Sequence, residues 1–247
     1  MWSREDLKTR AKSVLKISYW KAFLVSIVIA FAGGNGGKTS FNGSSQIDTF
    51  IENRVSYEQY PSILITLIIV SIFVVLIIAA LRIFLGYPLE VGGRCYFKRG
   101  ARKDIDLSYL GYAFKEGRYM NIIKTMLWRG ILIFLWTLLL IIPGIVKSYA
   151  YRMVPYILSD NPNIGYKRAI ELSNEMTYGH KFDIFVLDLS FLGWYLLGLL
   201  ALVIGVFFVM PYENATRGEL YLVLRENALE NNMCSYKELN LIQPMEM

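Results

Sequence analysis

From Tyr60 to Leu81 the chain reads YPSILITLIIVSIFVVLIIAAL, with no charged residue. At 1.5 Å per residue such a helix spans roughly 33 Å, enough for the roughly 30 Å hydrocarbon layer of a bilayer. A helix at the surface of a soluble domain needs a polar face, and this run has none. Composition agrees: 55% of the chain is hydrophobic and 19% is charged, below the roughly 25% of a soluble domain. Gly130–Val146 and Leu189–Tyr212 are nearly as apolar, and Ala22–Ala32 is a shorter run of the same kind. The expected class is all-α, a polytopic transmembrane helical bundle. With Cys95 and Cys234 as the two thiols, a disulfide scaffold is excluded. One histidine and no C-x-x-C pair make a zinc site of ordinary type unexpected. No metal or other cofactor is expected.

The first apolar run has two readings. Lys8, Arg10, Lys12, Lys16 and Lys21, then Ala22–Ala32 with Ala30-Phe31-Ala32, have the layout of a cleavable signal peptide. Against this, Leu7, Ala11, Val14, Leu15 and Ile17 recur at helical spacing among acids and bases, as in a retained amphipathic helix. Retention is the expectation.

Orientation follows from Lys and Arg beside the spans. The stretch before Ala22 is rich in them, as is 98–124 with Lys98, Arg99, Arg102, Lys103, Lys115, Arg118 and Lys124. The loop 33–60 has only Lys38 and Arg54. The N-terminus and 98–124 are therefore expected inside, and the GGNGGKTSFNGSS loop outside. This bias accounts for the formal charge of +6, so no nucleic-acid partner is called for. Lys167, Arg168 and Lys181 must then also lie inside, which requires the later runs to return. Pro143-Gly144 is the expected break in one run, and Gly205 in the other. The result is six membrane helices as three hairpins with inside amphipathic helices. Both termini would be cytoplasmic. The rival arrangement is four spans with a large external amphipathic loop.

An internal repeat fits the six-helix scheme. ISYWKAFLVSIVI (17–29), KEGRYMNIIKTML (115–127) and TYGHKFDIFVLDL (177–189) each lead from a charged stretch into an apolar one. Pro88-x-Glu90-x-x-x-Arg94 also matches Pro211-x-Glu213-x-x-x-Arg217. The expected organisation is a single integral membrane domain over 1–247, with units 1–97, 107–158 and 164–225 and a cytoplasmic tail at 226–247. Interfaces that favour basic-aromatic entries would give a similar recurrence without a repeat.

The chain resembles a family of uncharacterised multi-spanning membrane proteins of Gram-positive bacteria, known only as a domain of unknown function. The resemblance covers nearly the whole chain. It rests on MWSREDLKTRAKSVLKISYWKAFLVS, IPGIVKSYAYRMVPYILSDNP, ELSNEMTYGHKFDIFVLDLSFLGWYLLG and PYENATRGELYLVLR. A more distant likeness, in the Pro-Gly break and the segment after it, is to the membrane region of some glycerophosphodiester phosphodiesterases. The resemblance implies a bacterial plasma-membrane location and no particular reaction.

The candidate site is an intramembrane polar cluster: Glu90, Arg94, Arg152, Asp188, Glu213 and Asn214. Charge inside apolar segments is costly and is expected to face protein, water or a counter-charge. Glu90 with Arg94, and Glu213 with Arg217, are spaced for pairing along one helix. Arg152 needs Asp188 or Glu213 from another. Such a cluster forms either a polar path or internal pairs that hold helices in register; register-holding pairs are the expectation. Lone His180 is expected to be an interface residue. The aromatic residues near helix ends, Trp20, Trp128, Tyr149 and Tyr212 among them, fit an ordinary interfacial belt. Asn42-Gly43-Ser44 and Asn214-Ala215-Thr216 match a glycosylation pattern that carries no weight in a bacterial chain.

No nucleophile elbow, Walker loop, H-E-x-x-H or other catalytic motif occurs, so no catalytic residue is assigned. The leading expectation is a non-enzymatic membrane protein that binds anionic lipid or a membrane-protein partner through its inner helices, 5–17 and 164–176. The alternatives are a small secondary transporter or exporter with a polar path, and a membrane-embedded lipid enzyme.

Overall fold

The computed structural model describes residues 3–31, 60–115, 117–200 and 204–242. The GGNGGKTSFNGSS stretch of the expected outer loop, Ala32 of the cleavage pattern and the Asn42 pattern lie outside the described residues. Among the described residues every regular element is a helix. Three are long and apolar enough to cross a membrane: Leu64–Gly100, Tyr119–Leu139 and Lys181–Leu199.

Helix α1 (Arg4–Phe31) carries the charged stretch without a break into the apolar one. Leu7, Ala11 and Leu15, then Ala22, Val25 and Ile29, are buried. These positions recur every three or four residues, so they form one stripe along the helix. The next element is a continuous rod made of α2 (Tyr60–Leu81), one π-helical turn (Arg82–Gly86) and α3 (Tyr87–Gly100). In the π turn the Tyr87 N–H donates to the Arg82 carbonyl. Pro88 follows with no N–H to continue the narrower pattern. The turn marks a change of surroundings: 64–81 is exposed on every side, whereas 91–98 is wholly buried. Water would penalise so much bare Ile, Val and Leu; lipid would not.

An irregular segment with a 3₁₀ helix (Leu107–Phe114) leads to α4 (Tyr119–Leu139) and α5 (Ile141–Ala150). The break between these two is at Leu140 (φ −156°, ψ 135°), three residues before the expected Pro143-Gly144. Pro143 instead sits in the first turn of α5, where a missing N–H costs no hydrogen bond. Gly144 faces Thr137 of α4, so the two legs pack tightly. The expected return segment is also interrupted. It turns at 151–153 and resumes as α6 (Val154–Asp160), with Pro155 in the first turn. The return leg α5 has 10 residues, hence about 15 Å, half the hydrocarbon thickness.

Helix α7 (Tyr166–Met176) realises the expected amphipathic stretch, burying Ala169, Ile170, Leu172 and Met176. The last pair is α8 (Lys181–Leu200) and α9 (Ile204–Glu230). Gly205 lies in the first turn of α9. It lies against Gly198 across the pair: a Cβ on Gly205 would sit 2.6 Å from the Gly198 Cα. The main core joins α3 to α9 with Leu7 and tail residues Cys234 and Leu239. A second cluster packs α1 on Tyr96, Phe97 and Ala215.

Candidate functional site: a stacked polar seam and a basic cavity

Helix α3 places Glu90, Arg94 and Lys98 at four-residue spacing, so all three share one buried face. Facing them, α9 contributes Glu213, Asn214, Arg217, Tyr221 and Arg225. Each level of this seam has its own partners.

At the first level Glu90 accepts from Arg82 at 3.1 Å and lies 3.6 Å from Arg129. Arg94 donates to the Asn214 Oδ1 at 2.7 Å, and the Asn214 amide donates to the Ser26 hydroxyl at 3.2 Å. The Arg94 guanidinium also stands 5.5 Å from the Tyr156 ring centre. The ion pairs of Glu90 are thus to Arg82, eight residues earlier on the rod, and to Arg129 of α4, rather than to Arg94.

At the second level Asp188 joins two helices. It pairs with Arg152, lies 3.2 Å from Arg217, and accepts from the Tyr149 hydroxyl at 3.1 Å. Glu213 pairs with Arg217 on its own helix and accepts from the Tyr195 hydroxyl. All six residues singled out from the sequence therefore have polar partners, in separate groups.

The third level was not legible in the sequence. Asp160, at the end of α6, accepts from Lys98 at 2.6 Å and from Arg225 at 3.1 Å. The Tyr221 hydroxyl also donates to it, and Lys98 donates to the Ser159 hydroxyl at 2.7 Å. Tyr221 stacks on Tyr156 with ring centres 5.0 Å apart. In sequence Asp160 sits in SDNP and looks like a turn residue. The available signal was spacing: Lys98 continues the Glu90–Arg94 step, and Arg225 continues Arg217–Tyr221. Burial of Asp160 opposes its ionisation, but Lys98 and Arg225 outweigh this and hold its carboxyl below the usual carboxylate range.

Beside this triad is a cavity of about 430 Å³. It is walled by the end of α3, the segment around Tyr112 and Arg118, the α6–α7 turn, α9 and the tail at Asn240 and Leu241. A second, of about 530 Å³, lies between the start of α1 and His180, Phe182 and Asp183. Neither is lined by Glu90, Arg152 or Glu213. No group of three or more metal-ligating side chains occurs among the described residues.

Both thiols are buried, and burial pushes Cys234 up to about 11. A thiol held protonated is a poor nucleophile. The folded protein is therefore expected to leave both cysteines unmodified by N-ethylmaleimide at pH 7.5, with two reacting after denaturation; mass spectrometry reads the count.

Residues 108–228 match a family profile described as "Protein of unknown function (DUF975)". The match supports an uncharacterised family. It includes Arg152, Asp160, Asp188, Glu213, Asn214 and Arg225, while Glu90 and the partners of Asn214 and Asp160, Arg94 and Lys98, lie before it. No curated protein and no solved structure matches the chain.

Proposed function

We propose that this is a non-enzymatic integral protein of a bacterial plasma membrane that presents an inner face of amphipathic helices to anionic lipid or to a membrane-protein partner. Six membrane-inserted helices in three returning pairs, with both termini cytoplasmic, fit the placement of Lys and Arg. The ten-residue α5 adds a refinement: the second pair enters from the inner side and turns near mid-bilayer. The observation that carries the reading is the contrast along the rod. Residues 64–81 are bare on all sides, whereas α3, α6, α7 and the tail form a packed, charged body at its end.

A small transporter would require Glu90, Arg152 and Glu213 to open on one polar path. Arg152 and Glu213 are instead joined through Asp188 and Arg217, and Glu90 is paired apart from them with Arg82 and Arg129, which favours a register-holding role. Removing one member of such a group leaves a buried charge unpaired, which makes register costly to change.

Single-cysteine labelling tests the architecture, and the buried native thiols give little background. Lys167→Cys and Ile242→Cys should react with a membrane-impermeant maleimide in inverted vesicles and not in intact cells. Ile170, at 8% exposure, is too buried to serve. Ile142→Cys, at the 76%-exposed hairpin tip, should react from neither side. Labelling of position 167 or 242 from outside would overturn the proposed orientation, and labelling of 142 from outside would make the second pair a full crossing.

A further inference from the structure

The cavity beside Asp160 is lined by five cations, Lys98, Arg99, Arg102, Arg118 and Arg225, and by two carboxylates, Asp104 and Asp160. Three of the cations are already engaged: Lys98 and Arg225 with Asp160, and Arg99 with Asp104 at 3.2 Å. Arg102 and Arg118 meet no carboxylate among the described residues. Arg118 is held by the Tyr112 ring, 4.5 Å from its centre. Arg102 stands in the turn that ends α3, where Lys103 takes φ 65° and the Arg102 N–H donates to the Arg99 carbonyl at 2.8 Å. The Arg225 side chain, 5% exposed, keeps a buried Nε with no hydrogen-bond partner among the described residues.

The cations that line this cavity repel one another, and an anion among them relieves the repulsion. Three features narrow its chemistry. Arginine forks match the tetrahedral oxygens of phosphate and bond them two at a time. The excess of cations over carboxylates suits a group with more than one negative charge. The volume of about 430 Å³ falls within the roughly 300–1,000 Å³ of small-molecule sites.

We propose that this cavity is a binding site for a phosphate-bearing anion, with Arg102 and Arg118 as its free recognition groups and the Lys98–Asp160–Arg225 triad as its rigid floor. The phosphate belongs either to a lipid headgroup of the inner leaflet or to a soluble phosphate compound. Only the lipid source rests on the membrane reading given above; the site itself does not. Binding in either case weakens as salt rises, because Arg102 is exposed and Arg118 only half-buried.

The test uses the full chain in two settings. Purified in detergent, it is titrated with inorganic pyrophosphate by calorimetry. In nanodiscs of phosphatidylcholine with or without phosphatidylglycerol, retained lipid is counted by native mass spectrometry. The variant R102Q/R118Q is compared with K167Q/K237Q, which removes the same charge from exposed sites elsewhere. Saturable pyrophosphate binding, weakened at least tenfold in R102Q/R118Q and less than twofold in K167Q/K237Q, supports the site with a soluble ligand. Selective retention of phosphatidylglycerol that R102Q/R118Q abolishes, without pyrophosphate binding, supports it with a lipid. Absence of both, or equal loss in the two variants, overturns it. Arg102 is exposed and its side chain forms no ion pair among the described residues, so R102Q alone provides a milder variant should the double one be unstable. The detergent titration does not depend on topology, so its failure is separate from failure of the labelling experiment.

Discussion

Asp160→Ala is expected to destabilise the protein by about 3–5 kcal/mol, the cost typical of leaving a buried charge without its partner. The side chain is 6% exposed, Lys98 is 7% and Arg225 is 5%. Removing one carboxylate therefore strands two cations away from water, and leaves the Tyr221 hydroxyl without its acceptor. Asp160→Asn keeps the shape and the Tyr221 bond but not the charge, and should recover only a small part of the loss. Thermal unfolding of the detergent-solubilised protein measures both.

The same carboxylate gives a pH dependence of definite sign. Its folded-state pKa is depressed, so its contribution is present above the unfolded value, about 3.9. It is lost as pH falls from there through the lower folded value. The wild type should lose stability on acidification below about pH 4, while Asp160→Ala should lack that part of the acid limb. An identical acid limb in the two proteins would remove Asp160 as its source.

Gly205→Leu is the second large effect, expected near the upper end of the roughly 1–3 kcal/mol cost of overpacking. A Cβ at 205 would lie 2.6 Å from the Gly198 Cα and 2.8 Å from its carbonyl oxygen. These are backbone atoms of the opposite helix and cannot swing aside as a side chain would. The α8–α9 pair must separate, losing contacts along its length. Gly193 supplies the control, because a Cβ there meets nothing within 4 Å. Gly193→Ala should be neutral or stabilising by up to about 1 kcal/mol, since alanine is the better helix former. If both substitutions lower the melting temperature alike, the close approach of 198 and 205 is not what holds the pair together.

Several elements could be read from residues alone because their signal is local. Tyr60–Leu81 has no polar face, and it forms one helix, its Leu64–Leu81 part within a stretch long and apolar enough to cross a membrane. The α7 stretch carried its period in its own eleven residues. The breaks were less legible. Pro143-Gly144 marked a break correctly in kind but not in place, because proline is compatible with a first helical turn and the chain could turn before it. Gly205 was visible as small, but not that its use was to meet Gly198. Partner choice was least legible. Glu90 and Arg94 had the right spacing for each other, yet Glu90 takes Arg82 and Arg129 and Arg94 takes Asn214. Arg129 and Asn214 come from other helices, which spacing along one helix cannot anticipate.

Hydropathy and charge bias, properties of single segments, settled from the sequence that the chain is helical and where its apolar runs lie. Which acid meets which base, and that Asp160 joins Lys98 and Arg225 beside an arginine-lined cavity, emerged only on folding. Those contacts join residues 62 and 65 positions apart. Their energy depends on burial and geometry that no local stretch of sequence specifies.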